Sequence, residues 1–154
     1  MEEVTIRRAE RRDLDRLLEF EQAIIETERP FDVTIRDGED VHYYDLAELV
    51  ALPNAYVVVA EVDSKIVGSG YARIDESEPY LKHRKHSYLG FMYVMPEHRG
   101  KGVNKKVVDA LEAWSRSQGV TEIRLEVYDA NDPAMRAYEK SGYEKLTVWM
   151  RKSL

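Results

Sequence analysis

The chain has 154 residues, of which 44% are hydrophobic and 34% charged, and its formal net charge at pH 7 is −6. These values suit one folded domain with a single core, and the acidic balance gives no general attraction to nucleic acid or an anionic membrane. The absence of cysteine excludes disulfides, cysteine nucleophiles and thiolate metal sites. No apolar run of about 18 residues is present, and the charged first residues do not suit a secretory signal. We therefore expect a single cytoplasmic domain over residues 1–154 that binds no metal, membrane or nucleic acid.

The first half of the chain predicts one strand, two helices and a hairpin, from apolar residues at helical or alternating spacing and from proline and turn signals. In chain order these are a strand at 4–9, a helix from Asp13 that ends before Pro30, a helix at 41–52 closed by Pro53, and a hairpin within 56–75 that turns at 63–65.

The second half predicts alternating strands and helices. In chain order these are a strand at 86–95, a helix at 103–118 capped by Gly119, a strand at 123–127, a helix with Asp132 as N-cap and Pro133 as first residue that ends near Gly142, and a strand at 145–151. The strand–helix–strand unit from Tyr88 to Val127 predicts a right-handed parallel crossover, and the hairpin makes the remaining sheet antiparallel. We expect an α/β fold with a mixed sheet and helices on both faces.

The stretch PEHRGKGVNKK, residues 96–106 and called the glycine loop below, joins a predicted strand to a predicted helix. Backbone N–H groups converge at the positive end of a helix dipole there, and Gly100 and Gly102 permit close approach of a ligand. The cations around the same point are Arg99, Lys101, Lys105 and Lys106. The pattern indicates an anion site suited to phosphate, although a plain turn with solvated cations explains this stretch equally well.

A second pattern follows in LEVYDANDPAMRAYEKSGY, residues 125–143. Together the two segments resemble the GNAT superfamily of N-acetyltransferases. In that family the phosphate loop reads Arg/Gln-x-x-Gly-x-Gly/Ala after a strand, and the later segment reads Asn, a helix carrying Tyr, then Gly-aromatic. The matching residues are Arg99, Gly102, Asn131, Tyr138, Gly142 and Tyr143. One position departs from the pattern, because Asn104 stands where the family usually has Gly or Ala.

The resemblance implies a single-domain acyl-CoA N-acyltransferase fold with a mostly antiparallel sheet and a splayed parallel strand pair. It implies acetyl-CoA as cofactor, with Asn131 near the pantetheine arm and an acceptor amine that attacks the thioester directly. The pyrophosphate would lie on the backbone N–H groups of Arg99, Gly100, Lys101, Gly102, Val103 and Asn104, and the arm beside Met92, Tyr93 and Val94. At position 104 the side chain would either donate to the pyrophosphate or crowd it, with lower affinity or an altered cofactor pose.

Two residues are predicted to carry the proton transfers. Tyr138 matches the usual general acid of the family, and a phenol with a pKa of about 10 is protonated at neutral pH. Its alternative is core packing, since the chain contains 10 tyrosines. Glu126 precedes Tyr138 at the spacing found in ribosomal-protein alanine acetyltransferases of the superfamily, where such a glutamate is a proposed base. A solvated strand glutamate or a partner for Arg124 is an equally good interpretation.

Other candidates are weaker. Gly90 occupies the place where many relatives carry a glutamate, so that base is absent, and His83 and His86 are either proton relays or part of an exposed basic loop. The acidic segment at 26–40 either steers a cationic amine or is merely solvated. Tyr43 and Tyr44 either line the acceptor pocket or belong to the core.

The sequence therefore predicts N-acetylation of a primary amine on a small metabolite, peptide or protein. The alternatives are a non-catalytic acyl-CoA-binding module with the same fold and a purely structural domain that binds no CoA. A homodimer is left open.

Overall fold

The computed structural model describes residues 3–154, in which five strands form one sheet ordered β1-β2-β3-β4-β5. The strands are β1 Thr5–Arg8, β2 Ala55–Val62, β3 Lys65–Glu76, β4 Lys85–Val94 and β5 Ile123–Arg124. The α-helices are α1 Leu14–Glu28, α2 Leu46–Ala51, α3 Val103–Ser117 and α4 Asp132–Lys140, and short 3-10 helices lie at Arg11–Asp13 and Pro96–His98. Within the described range, no helix is long and apolar enough to cross a bilayer.

The sheet is mixed, as predicted. Strands β1 to β4 pair antiparallel, while β4 and β5 pair parallel. The β2–β3 hairpin turns at Asp63 and Ser64, whose φ angles of 49° and 64° are left-handed, as a two-residue turn that follows the twist of its strands requires. The predicted hairpin and parallel crossover are both confirmed.

Helices cover both faces of the sheet, because the side chains of each central strand alternate between two apolar layers. In β2, Val57 and Val59 pack on the side of α1 and α2, whereas Val58 and Ala60 pack on the side of α3. The helical residues buried in the first layer are Leu17, Phe20, Ile24, Leu46 and Leu49, and those in the second are Val103, Val107, Val108 and Leu111.

The parallel pair β4–β5 is short. It is registered at Ser87 with Ile123 and at Tyr88 with Arg124, and β5 ends there instead of at the predicted residue 127. Strand β4 continues to Val94 without a neighbour on that side within the described chain. The splayed pair is thus present, and a cleft opens beside the second half of β4.

The second helix is shorter than predicted, since residues 41–45 are not helical and α2 begins at Leu46. The fully buried carboxylate of Glu21 accepts the backbone N–H groups of Tyr43 and Tyr44, both at 2.9 Å. A side chain that takes these N–H groups competes with the hydrogen bonds of a helix. Asp45 then accepts the N–H of Glu48 and caps the helix that does form.

The predicted final strand at 145–151 is absent. Residues 144–154 are exposed and make no backbone hydrogen bond to any residue that the structure describes. The apolar side chains of this segment lie in solvent, with Trp149 92% exposed. Because β5 ends at Arg124, no strand of the described chain lies alongside residues 145–151 to supply the backbone hydrogen bonds that a strand there would need.

Candidate functional site: the glycine loop and its surroundings

The glycine loop turns the chain from β4 into α3 through two left-handed glycines. Gly100 has φ 75° and Gly102, the N-cap of α3, has φ 80°. A Cβ added at either position would meet nothing within 4 Å. The glycines are therefore needed for the backbone conformation, and the space above them is open to a ligand.

Several backbone donors of this loop face outward. Within the described range, the N–H groups of Gly100, Gly102, Val103 and Asn104 make no hydrogen bond, and no side chain caps the helix. They border a pocket of about 130 Å³ lined by Val94, His98, Arg99, Gly100, Gly102, Val103, Asn104 and Lys105. Such a pocket at the start of a helix suits a phosphate group, so the residues present fit the phosphates of acetyl-CoA.

The predicted cations surround this pocket in different ways. Arg99 folds back on β4, where its Nε donates to the Val94 carbonyl at 2.8 Å and its guanidinium lies 5.6 Å from the centre of the Tyr93 ring. Lys105 pairs with Asp109 at 2.9 Å. Lys101 and Lys106 are exposed at the rim. Arg99 and Lys105 line the pocket, so the positive charge is placed around the N–H groups.

The predicted arm-binding residues lie along the open edge of β4. Met92 and Val94 pack toward the α3 layer, and Tyr93 packs on the opposite face with its ring 4.8 Å from that of Phe20. Phe91, the residue before Met92 in β4, has a left-handed φ of 58°, which is rare for a bulky residue. Its N–H donates to the Tyr44 hydroxyl at 3.3 Å, and its carbonyl accepts from Ser69.

The distortion at Phe91 was not predicted from the sequence. The neighbouring Gly90 was the available signal for it. A Cβ at position 90 would collide with the Tyr71 ring. That collision also explains why no glutamate occupies position 90. The hydroxyl of Tyr44 is used within the structure and its ring lies edge-on to Tyr71 and Phe91, so Tyr44 packs in the core.

Tyr138 lies on α4 with its ring half-buried against the apolar face of α3 and 5.7 Å from the ring of Tyr143. Burial raises the pKa of Tyr138, and the nearby side chain of Asn104 partly opposes that rise. The structure thus packs the predicted proton donor against α3, the helix that follows the glycine loop.

Asn131 begins α4 and corrects the predicted cap. Its side-chain oxygen accepts the N–H of Ala134 at 3.4 Å, so Asn131 is the N-cap, Asp132 is the first helical residue and Pro133 the second. Proline has no N–H, so the capping bond goes to Ala134. The side-chain NH₂ of Asn131 makes no hydrogen bond to residues 3–154.

Glu126 lies just past the end of β5 with its side chain exposed. The pKa of Tyr88 is raised first by burial and then by the charge of nearby Glu126. Arg124 does not pair with Glu126; it binds Glu122 at 2.6 Å and Glu78 at 3.3 Å. The interpretation of Glu126 as a partner of Arg124 is therefore wrong.

The two histidines lie at the start of β4, and the glycine loop follows its end. His86 is buried beside Ser77, with Nδ1 2.9 Å from the hydroxyl, and burial lowers its pKa. His83 pairs with Glu122 at 3.3 Å. Residues 87–95, eight of them in β4, separate His86 from the loop, about 30 Å. His86 is buried and His83 is half-buried, so neither histidine belongs to an exposed basic loop.

A cluster of tyrosines and carboxylates, the acidic–aromatic cluster, forms where the α1–α2 connection meets the chain after β5. Burial raises the pKa of Glu28, and the nearby side chain of Tyr43 partly opposes that rise. The Tyr128 hydroxyl donates to Asp32 at 3.5 Å, and its ring stacks on Phe31 at 5.8 Å. Tyr88 and Tyr128 were not predicted as site residues from the sequence. The available signal for Tyr128 was its two-residue spacing from Glu126.

The C-terminal segment reaches the same cluster. Arg151 donates to Asp32 at 2.7 Å and to the Thr34 hydroxyl at 2.9 Å. The hydrogen bonds from Thr34 and then from Arg151 hold the pKa of Asp32 far below its usual range. Asp32 is thus an anion at neutral pH, and the guanidinium of Arg151 is already hydrogen-bonded to it.

Comparisons with known proteins agree with this geometry. The family model described as acetyltransferase (GNAT) family matches residues 17–143. A 60-residue segment is 37% identical to thialysine N-epsilon-acetyltransferase of Bos taurus, and the match covers 39% of this chain and 35% of that relative. The chain therefore spans about a third of the length of this curated relative.

Solved structures establish the fold. A mutant of a Bacillus halodurans protein has a TM-score of 0.88 at 22% identity, with 97% of this chain and 99% of that chain covered. A predicted acetyltransferase from Clostridium acetobutylicum, solved with acetyl-CoA, has a TM-score of 0.76 at 17% identity, with 98% and 96% covered. The chain therefore belongs to the acetyltransferase (GNAT) family.

Proposed function

We propose that the protein transfers an acetyl group from acetyl-CoA directly to a primary amine of a small metabolite, a peptide or a protein. The observation that carries this proposal is the set of unpaired backbone N–H groups at the start of α3, which follows the strand edge of β4 that has no neighbour within the described chain. Tyr138 packs against the same helix.

The glycine loop and the open edge of β4 would hold the cofactor. Outward N–H groups at Gly100, Gly102, Val103 and Asn104 are suited to its pyrophosphate. The unpaired edge of β4 near Met92–Val94 and the free side-chain NH₂ of Asn131 are suited to the amides of its arm. When bound, acetyl-CoA supplies a thioester whose carbonyl carbon is open to attack by an amine.

The proposed roles account for each bond that forms or breaks in the transfer and for each proton that moves. A neutral acceptor nitrogen forms the C–N bond as the C–S bond breaks and the bonding pair leaves with sulfur. Tyr138 donates its hydroxyl proton to sulfur, and Glu126 accepts, directly or through one water, the proton that the nitrogen loses. Solvent carries that proton back to Tyr138, so the products are the N-acetylated amine and the CoA thiol.

The acceptor we propose is cationic before it reacts. A lysine-like amine, with a pKa of about 10.4, arrives protonated at neutral pH and releases one proton to solvent before it attacks as the neutral amine. Glu28, Asp32 and Glu126 supply carboxylates on the side of the cleft formed by the α1–α2 connection and the chain after β5. The similarity of one segment to a thialysine N-epsilon-acetyltransferase supports an acceptor of this class.

The Tyr138→Phe variant tests the proton donor. It removes one oxygen and keeps the ring contact with Tyr143, so we expect kcat to fall by about 10²-fold or more while CoA affinity stays unchanged. Thiol release from acetyl-CoA is measured over a panel of diamines, lysine analogues and peptides, with CoA affinity measured by calorimetry. Tyr80→Phe is the matched control, because Tyr80 is 83% exposed in the loop before β4.

The Glu126→Gln variant tests the base in the same assay. We expect kcat/KM for the acceptor to fall by about 10²-fold, whereas Glu122→Gln, which changes a carboxylate already paired with Arg124 and His83, should leave it unaltered. CoA binding without acetyl transfer to any amine would instead support the acyl-CoA-binding module. Equal rates for Tyr138→Phe and the wild-type protein would overturn the proposed mechanism.

A further inference from the structure

Strand β4 contains a β-bulge where the cleft begins. The β3–β4 register shifts there, so that two residues of β4, Phe91 and Met92, lie opposite Gly70 of β3. A bulge bends its strand, increases the local twist and can end the pairing with a neighbour. Strand β4 pairs with β5 only as far as Tyr88, just before this bulge. The bulge is therefore placed where β4 leaves its neighbour and the cleft opens.

Phe91 takes a backbone conformation that its own side chain disfavours. Its φ of 58° is left-handed, and a bulky residue keeps such a backbone only where the surrounding structure determines it. Phe91 is 2% exposed, so water does not satisfy its backbone polar groups. Its N–H and its carbonyl must therefore both find partners within the protein.

Two side-chain hydroxyls supply those partners. The N–H of Phe91 donates to the Tyr44 hydroxyl at 3.3 Å, and its carbonyl accepts from the Ser69 hydroxyl at 2.9 Å. Ser69 is fully buried in β3, whereas Tyr44 belongs to the α1–α2 connection, where the carboxylate of Glu21 accepts its backbone N–H. Phe91 is thus held by hydrogen bonds from two separate parts of the chain.

We propose that Tyr44 and Ser69 are positioning residues of the cofactor cleft. Their hydroxyls hold the left-handed conformation of Phe91, and the bulge held in this way keeps the edge of β4 that follows, Met92–Val94, open to the amides of the acetyl-CoA arm. Without either hydroxyl, a buried backbone group of Phe91 loses its partner, and the strand relaxes toward a regular extended conformation. This inference rests on the proposed function.

Hydrogen exchange at a single amide tests the conformation directly. The amide signal of Phe91 is followed in ¹⁵N-labelled protein, and in Tyr44→Phe we expect it to move and to exchange about tenfold faster with solvent. The matched control is Tyr71→Phe. The Tyr71 ring is buried beside that of Tyr44, but its hydroxyl makes no hydrogen bond to a residue that the structure describes. Its loss should leave the exchange rate of Phe91 unchanged.

Calorimetry with CoA tests the role in binding. We expect Tyr44→Phe and Ser69→Ala each to lower CoA affinity by about tenfold, since the strand edge that meets the arm is displaced. Ser115→Ala is the control for lost stability, because Ser115 is also buried and donates to the Leu111 carbonyl at 2.8 Å. It should lower the melting temperature as Ser69→Ala does but leave CoA affinity unchanged.

The outcomes separate this inference from the proposed function. An unchanged Phe91 amide in Tyr44→Phe, or an equal CoA affinity for Ser69→Ala and Ser115→Ala, would overturn the positioning role. If both hydroxyl variants bind CoA as the wild-type protein does while Tyr138→Phe is inactive, only this inference fails. If the wild-type protein binds no CoA, the proposed function fails, and the assignment of this strand edge to the cofactor falls with it.

Discussion

Single residues decide what the cleft beside β4 can hold. The left-handed backbone at Gly102 aims N–H groups outward at the start of α3. A Cβ at position 90 would collide with the Tyr71 ring, so the middle of β4 carries a glycine there. The loop glycines, Arg99 and Tyr138 could be predicted from sequence, since a short motif carries them. Phe91 and Tyr88 could not, because their roles depend on neighbours far away in the chain.

Gly102 and Gly119 form a natural pair for testing the loop. Both have φ near 80°, and an added Cβ would meet nothing within 4 Å at either position. We expect Gly102→Ala and Gly119→Ala each to lower the free energy of unfolding by about 1 kcal/mol, because alanine is strained at positive φ. Urea denaturation measures this cost.

The two variants should differ in ligand binding. Only Gly102→Ala disturbs the backbone donors at the start of α3, so we expect about a tenfold loss of CoA affinity there and none for Gly119→Ala. Calorimetry with CoA distinguishes them. An equal affinity for both variants would remove the start of α3 from the cofactor site.

At the scale of elements, one buried carboxylate shapes the connection between α1 and α2. Glu21 accepts from the backbone of Tyr43 and Tyr44 and lies 2.7 Å from Nδ1 of His42. These bonds keep residues 43 and 44 out of the helix predicted from residue 41, so α2 begins only at Leu46. They also place Tyr43 beside Glu28. Periodicity could not predict this, because the competing acceptor comes from another helix.

Removal of that carboxylate should be costly. We expect Glu21→Ala to lower the free energy of unfolding by about 3 kcal/mol, since two backbone N–H groups lose their acceptor, and Glu21→Gln by about 1 kcal/mol, because one oxygen remains. The exposed Glu26, paired with Arg29 on the same helix, is the control, and Glu26→Ala should change stability by less than about 0.5 kcal/mol. Similar losses at both positions would contradict this role of Glu21.

Across the whole molecule, burial is concentrated in the sheet centre and falls toward the C-terminus. Val58, Val59 and Ala60 of β2 are fully buried between β1 and β3, whereas residues 144–154 are exposed and reach the body through Arg151. Arg151 and Asp32 form an exposed pair, which contributes little to stability.

Hydrogen exchange should report this difference. We expect peptides from residues 144–154 to exchange at nearly the rate of an unfolded chain, while those from the centre of β2 exchange only through global opening. Mass spectrometry after brief and long exposure to deuterium measures both. Strong protection of the C-terminal peptides would mean that they pair as a strand in solution, as their alternating pattern predicts.

The sequence by itself determined the types of the helices and strands up to α4, the hairpin, the parallel crossover and the motif residues of the glycine loop and α4. These follow from local periodicity, turn residues and short-range backbone geometry, which a single stretch of chain carries. Only the tertiary structure decided the length of α2, the early end of β5 and the unpaired C-terminal segment. Each of these depends on a hydrogen-bond partner, or its absence, between segments distant in the chain, and no local pattern encodes that.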